Sequence, residues 1–411
     1  MSMINECRSC GSTELTSILS LGSQYPSNFV ELNSVPDEKE QIPLELIFCE
    51  NHDCGLLQLK HTASRESLYK EYWFRSGLNE KMVEALYDVT RSVEKRITLS
   101  ENDIVLDIGC NDGTLLRSYT SKVRLVGFEP ASNLVPEASK DTDLIINNFF
   151  SFYEFVQHFP NERIKAITSI AMFYDLEDPN SFVSDIVNCL DQDGIWVIQM
   201  AYLIPMLELN AFDNIVHEHL EYWSLKSVKR LLEDHGLEIF DVELNDVYGG
   251  SFRIYVKTKK NSNLKIENSV NEFLTKEDEF GLEKKQTYLD FANRVNILKN
   301  KLNDFVKQET SNGKIIYAYG ASTKGNTLLQ FYNLNNEIIT KAADRDSKKF
   351  GKMTIGSNIP VISEEQAREE KPDYFLVLPW HLADFFKERE NEFFKNGGKF
   401  IIPLPDFKII S

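Results

Sequence analysis

Two histidines and two glutamates fall within five consecutive residues of the stretch Asn214–Ser224, NIVHEHLEYWS. A zinc-dependent hydrolase places two histidines four apart on one helical face, whereas His217 and His219 are two apart and would diverge on a helix. In an extended segment they would share a face, with Glu218 turned the other way. Neither arrangement brings three ligands together, so the spacing disfavours a metal. Acid–base work needs less: one imidazole, titrating near neutrality, and a group that orients it. The structural alternative is a hydrogen-bonded loop staple.

Four of the six cysteines, Cys7, Cys10, Cys49 and Cys54, lie in the first 54 residues. Without a signal-peptide pattern at the start, such a cluster points to metal rather than disulfides, and a cytoplasmic setting is expected. Four thiolates would make a closed, structural zinc site. The second pair is separated by ENHD, so His52 could replace one sulfur.

Two further places carry ligand chemistry. Asp107-Ile-Gly-Cys-Asn-Asp-Gly-Thr-Leu115 follows an apolar strand, and its glycines would let a ligand approach the backbone. Its spacing differs from the GxGxxG dinucleotide fingerprint. Glu129, in Phe128-Glu129-Pro130, ends the next strand and could accept hydrogen bonds from ribose hydroxyls. The turn and the acid together resemble the class I S-adenosylmethionine-dependent methyltransferases. The resemblance implies that Asp107, Gly109, Asn111 and Gly113 bind the cofactor around its methionine part, Glu129 its ribose, and Asn148 and Phe149 its adenine. Later, YGASTKGNTLL (Tyr319–Leu329) joins a strand to a helix, with Ser322 and Lys324 at the helix entrance. A phosphate could be held there, or the turn could serve packing alone.

The elements that would position these groups are legible as an alternation. DIVLDIGC, RLVGFEP, LIINNFF, IKAITSIAMF and GIWVIQM read as strands, and GTLLRSYT and NSFVSDIVNCL as helices, which predicts a doubly wound parallel sheet. Residues 1–65 read as a small metal-binding module, 66–310 as the central domain with flanking helices, and 311–411 as a second, Rossmann-like α/β unit. The run from about 265 to 310 reads as charged helix bridging the two. With 45 basic and 63 acidic side chains the chain carries a net charge of −18, which opposes a nucleic-acid polymer, and no apolar run of 18 residues suggests a membrane span.

Across nearly its whole length the chain resembles one family. The order CxxC, LGSQYPSNF, CGLLQL, EYWFRSGLN, DIGCNDGTLL, GFEPA, NNFF, HEHLEYWS, YGGSFRIY, YGASTKGNTLL is similar to that of the sugar C-methyltransferases acting on nucleotide-linked 4-keto-6-deoxy sugars. The resemblance implies structural zinc on Cys7, Cys10, Cys49 and Cys54, S-adenosylmethionine as methyl donor, and a nucleotide-linked sugar as substrate. It implies that His219 removes the proton from sugar carbon 3, with Glu218 as its carboxylate neighbour and Tyr72 nearby; Tyr222, Ser322 and Lys324 are the substrate-binding candidates. At Val216, antibiotic-sugar members of the family can carry a tyrosine. Methylation at oxygen, or a non-catalytic sugar-nucleotide-binding protein, are the competing readings.

Overall fold

A computed structural model describes residues 2–32, 34–37, 40–65, 68 and 75–411, apart from the side chain of Tyr248. Tyr72 and its EYWF neighbours lie outside the described residues.

The central sheet has seven strands in the spatial order Leu237–Asn245, Ser251–Thr258, Leu190–Ala201, Ile164–Ile170, Ile104–Ile108, Arg124–Phe128, Leu144–Ile146. The five strands from Leu190–Ala201 to Leu144–Ile146 pair in parallel, and Ser251–Thr258 is antiparallel to both its neighbours. Every residue of Ile104–Ile108 is buried, as expected of a strand covered by helices on both faces. Strand order reverses beside it, which opens a crevice at the carboxyl ends of the strands. The doubly wound α/β expectation therefore holds.

Two local expectations change. The GTLLRSYT helix is a single 3-10 turn, Leu116–Ser118. Arg117 donates to the carbonyls of Asp112 (2.6 Å) and Lys140 (3.1 Å), and the Ser118 hydroxyl donates to that of Leu115 (2.6 Å). These side chains satisfy backbone groups that a continuing helix would need. The charged bridge is two helices, Asn268–Phe280 and Lys285–Ser311, separated where Gly281 takes a left-handed conformation.

The N-terminal sheet orders Glu221–Tyr222, Leu57–Leu59, Ile42–Cys49 and Leu15–Gln24, all antiparallel. Its edge strand is thus part of the HEHLEYWS stretch. The C-terminal sheet orders Val361–Ser363, Ala342–Asp344, Ile316–Tyr319, Tyr374–Val377, Lys399–Ile402 and Lys408–Ile410, parallel except for the last. The N-terminal segment also reaches this unit, because Phe29–Glu31 pairs with Lys352–Thr354.

Candidate active site and metal centre

Cys7, Cys10, Cys49 and Cys54 converge, with their sulfurs all within 4.8 Å of one another. The Cys7–Cys54 and Cys10–Cys49 separations are 3.7 and 3.6 Å. Four sulfurs at about 2.3 Å around a tetrahedral zinc stand about 3.8 Å apart, whereas a disulfide needs about 2.05 Å. The donor set fits zinc, and its four ligands leave no open position. His52 does not replace a sulfur: its side chain is 82% exposed, beside Asp53. The Gln58 amide donates to Cys7 Sγ (3.1 Å), a supporting bond to a ligand.

At the switch point, Gly109, Asn111 and Gly113 all have positive φ (71°, 53° and 78°). A Cβ on Gly113 would meet the backbone of Ala138 at 2.8 Å, so glycine is required there by packing as well as conformation. Asn111 N–H donates to Glu129 Oε2 (2.8 Å) and Ala131 N–H to Oε1 (2.8 Å). Each oxygen keeps a lone pair, so this carboxylate can still accept two ribose hydroxyls. Burial pushes the Glu129 carboxyl up to about 7. Asp107, buried on the preceding strand, accepts the Thr168 hydroxyl (2.6 Å) and is likewise raised to about 7, by burial and then by the Glu129 charge. Ser76 N–H donates to the Asn111 side chain (3.0 Å) and Gly77 N–H to Asp112 (2.8 Å), clamping the segment before the Glu80–Arg96 helix onto the turn. Asn148 is exposed, and Phe149 is half-buried beneath the Arg65 guanidinium, 5.1 Å from its ring centre. This turn, with its acid at the carboxyl edge of the next strand, suits S-adenosylmethionine.

The HEH stretch is neither helix nor strand but a tight turn, in which His219 N–H donates to the Val216 carbonyl (3.1 Å). The two imidazoles separate. His217 is buried and its Nε2 donates to the Ile42 carbonyl (3.0 Å), a staple into the N-terminal sheet. His219 Nδ1 donates to the Asn214 carbonyl (2.9 Å), which places the proton on Nδ1 and leaves Nε2 as the basic nitrogen. The orienting group is therefore a backbone carbonyl and not the Glu218 carboxylate, whose Oε2 is buried without a hydrogen-bond partner among the described residues. Burial, and then the Lys324 ammonium, hold His219 down at about 3 against the opposing Asn214 bond; burial holds His217 at about 4. Burial pushes the Glu218 carboxyl up.

Asn214 is a hub. Its carbonyl also accepts the Tyr222 hydroxyl (3.4 Å), and its side-chain oxygen accepts Lys324 Nζ (2.5 Å). Lys324 is thus directed at the histidine turn, and burial lowers its pKa against the favourable charge of Asp213. Ser322 caps the Thr323–Phe331 helix by accepting from Gly325 N–H (3.0 Å). A Cβ on Gly320 would meet Pro379 at 2.6 Å. Packing therefore accounts for that glycine, and capping for Ser322.

Two connected clefts meet at Ala201, Tyr202, Met206 and Asn214. One is lined by Tyr174, His219, Glu221 and Tyr222. The other reaches Asp213, Lys324, Trp380 and the Gly249–Gly250 turn. Tyr174, whose ring meets His219 edge-on at 4.4 Å, was not singled out from the sequence, nor were Asp213, Asn214 and Trp380. Tyr174 and Trp380 stand just beyond the carboxyl ends of Ile164–Ile170 and Tyr374–Val377, where α/β sheets place functional groups, so that rule alone could have found both.

Comparison with known proteins agrees with this construction. Residues 7–69 match a family described as "Putative zinc binding domain", residues 80–242 a methyltransferase domain, and residues 246–405 a C-methyltransferase C-terminal domain. C-methyltransferase NovU of Streptomyces niveus is 30% identical over 99% of this chain and 97% of its own. Among solved structures, magnesium protoporphyrin IX methyltransferase of Synechocystis PCC 6803 matches 43% of this chain and 87% of its own at 12% identity, with a TM-score of 0.34. With a full-length relative on one side and the zinc cluster, cofactor turn and cleft on the other, the chain belongs to the C-methyltransferase family and is an S-adenosylmethionine-dependent methyltransferase.

Proposed function

We propose that the acceptor is a nucleotide-linked 4-keto-6-deoxy sugar, methylated at carbon 3, with His219 as the base. The observation that carries this reading is the His219 ring, fixed through Nδ1 on the Asn214 carbonyl while lining a cleft with Tyr174 and Tyr222. Bound S-adenosylmethionine supplies an electrophilic methyl group on a positively charged sulfur, so the protein's work is at the acceptor. A ketone at carbon 4 acidifies the neighbouring C–H. His219 Nε2 takes that proton, and the bonding pair moves into the carbonyl to give an enolate. Its oxygen is stabilised by the Tyr222 hydroxyl, whose present bond to Asn214 is long, and by the Lys324 charge. As negative charge develops beside it, the imidazole becomes more basic than in the ligand-free cleft. Glu218 and Tyr72 complete the proposed catalytic set.

In this reading Asp107, Gly109, Asn111, Gly113, Glu129, Asn148 and Phe149 hold the cofactor. Tyr222, Ser322 and Lys324 are assigned to the sugar-nucleotide side, and residues 1–65, 66–310 and 311–411 are the working units. Incubating the protein in deuterated buffer with labelled S-adenosylmethionine and a nucleoside-diphosphate 4-keto-6-deoxyhexose should give a new carbon–carbon bond by NMR and solvent deuterium at the acidic carbon. His219→Asn should lose both. Undiminished exchange in that variant would place the base elsewhere, and a methyl ether as product would assign the transfer to oxygen.

A further inference from the structure

The cleft lined by Lys324 and Trp380 holds one acidic side chain that the proposed reaction does not use. Asp213 is 3% exposed; its Oδ2 accepts the Trp380 indole N–H (2.9 Å), while its Oδ1 is buried with no hydrogen-bond partner among the described residues. A buried carboxylate oxygen left without a donor is costly, and such a group persists where a ligand completes it. The Trp380 bond fixes the carboxylate plane, so the free oxygen is held in place before anything binds. Lys324, in the same cleft, balances the charge electrostatically while its own hydrogen bond goes to Asn214. What remains is an acceptor without a donor among the described residues, three positions before the Val216 start of the turn that presents His219 and on the side of the cleft away from that base.

We propose that Asp213 is a specificity-determining residue whose Oδ1 accepts a hydrogen bond from a ring hydroxyl of the sugar, and that Trp380 positions it. This rests on the reading of the acceptor as a nucleotide-linked keto sugar. It predicts that the enzyme distinguishes a hydroxylated sugar from its deoxy counterpart, because removing the hydroxyl strands a buried charge rather than merely losing a contact.

The test uses the full-length protein loaded with S-adenosylhomocysteine for binding and S-adenosylmethionine for turnover. The probes are a nucleoside-diphosphate 4-keto-6-deoxyhexose and a set of analogues, each lacking one ring hydroxyl. Wild type should bind and turn over one analogue about 10- to 100-fold less well than the parent, the range expected for one hydrogen bond to a charged acceptor. Asp213→Asn keeps an acceptor for Trp380 but turns an N–H into the cleft, and should bring parent and analogue to within about 3-fold of each other. Trp380→Phe should narrow the ratio part of the way. Equal treatment of parent and every analogue by wild type, or an Asp213→Asn variant that retains the full ratio, overturns the proposal. Binding that discriminates without turnover would instead remove the reaction assignment and leave Asp213 its role; binding of no probe overturns both.

Discussion

The carboxylates and histidines of the site are shifted mostly by burial, and their signs separate the roles proposed for them. Glu129 must be ionised to accept ribose hydroxyls, and its carboxyl is raised to about 7. Affinity for S-adenosylmethionine should therefore strengthen as pH rises through about 7, and Glu129→Gln should bind weakly with little of that dependence; calorimetry between pH 6 and 8 measures both. A pH-independent wild-type affinity would exclude Glu129 from the contact. His217 is shifted in the opposite direction, downward, and its effect concerns folding. Its native value of about 4 lies below the unfolded value of about 6.5, so between these limits the unfolded chain takes up a proton that the native protein refuses. The stability it contributes is complete above about 6.5 and falls by about 1.4 kcal/mol per pH unit below that. His217→Gln should cost about 1–3 kcal/mol at neutral pH by disturbing the Ile42 bond, and the deficit should shrink on acidification to about pH 4. Denaturant unfolding of the two proteins across that range gives the difference, and a constant deficit would mean that this imidazole is not held neutral by the fold.

At the scale of elements, the strand Glu221–Tyr222 belongs to the N-terminal sheet while the turn immediately before it carries the proposed base. Arg8, between Cys7 and Ser9, donates to the carbonyl of Leu59 (2.5 Å) and lies 3.7 Å from the buried Glu221 carboxylate. The metal knuckle, the middle of its sheet and the turn with the proposed base are thus consecutive neighbours. Cys49→Ser, or metal removal by a strong chelator, should lower the unfolding temperature and also reduce turnover, with zinc content by metal analysis falling in parallel. Full turnover in zinc-free protein would show that the edge strand keeps its place without the knuckle. Much of this was legible from residue order: the strands follow apolar runs, and the cysteine spacing marks a tetrahedral site. The 3-10 turn after Gly113 was not, because Thr114-Leu-Leu-Arg117 has ordinary helical composition, while the side-chain bonds of Arg117 and Ser118 to the carbonyls of Asp112, Lys140 and Leu115 are non-local or leave no sequence pattern. The recruitment of Glu221–Tyr222 by a sheet more than 150 residues earlier was equally hidden, since a two-residue strand has no periodicity to read.

At the scale of the molecule, the N-terminal segment is a splint across both α/β units. On one side it accepts the histidine stretch as a strand; on the other, Gln330 exchanges hydrogen bonds with the Tyr25 backbone (2.9 and 3.1 Å), the Ser27 hydroxyl donates to the Thr323 carbonyl (2.8 Å), and Asn326 donates to that of Asn28 (3.1 Å). These contacts involve the helix that carries Lys324, so the two walls of the cleft are aligned through a third body as well as through Lys324 and Asn214. The proposed sugar-nucleotide acceptor rests on family resemblance, and the cleft that would hold it is built from two walls. The individual contacts of that cleft come from residues more than 100 positions apart, as Lys324–Asn214 and Trp380–Asp213 are, and such pairs leave no local trace in a single chain.

The splint also bears on heredity. A recombination that replaced only the first 62 residues with those of a diverged relative would part the Leu57–Leu59 strand from its Glu221–Tyr222 mate and the Phe29–Glu31 strand from Lys352–Thr354 at one stroke. Viable chimaeras would have to carry these distant partners together, so the lineage is expected to have diversified its acceptors by altering single cleft residues more readily than by trading whole modules.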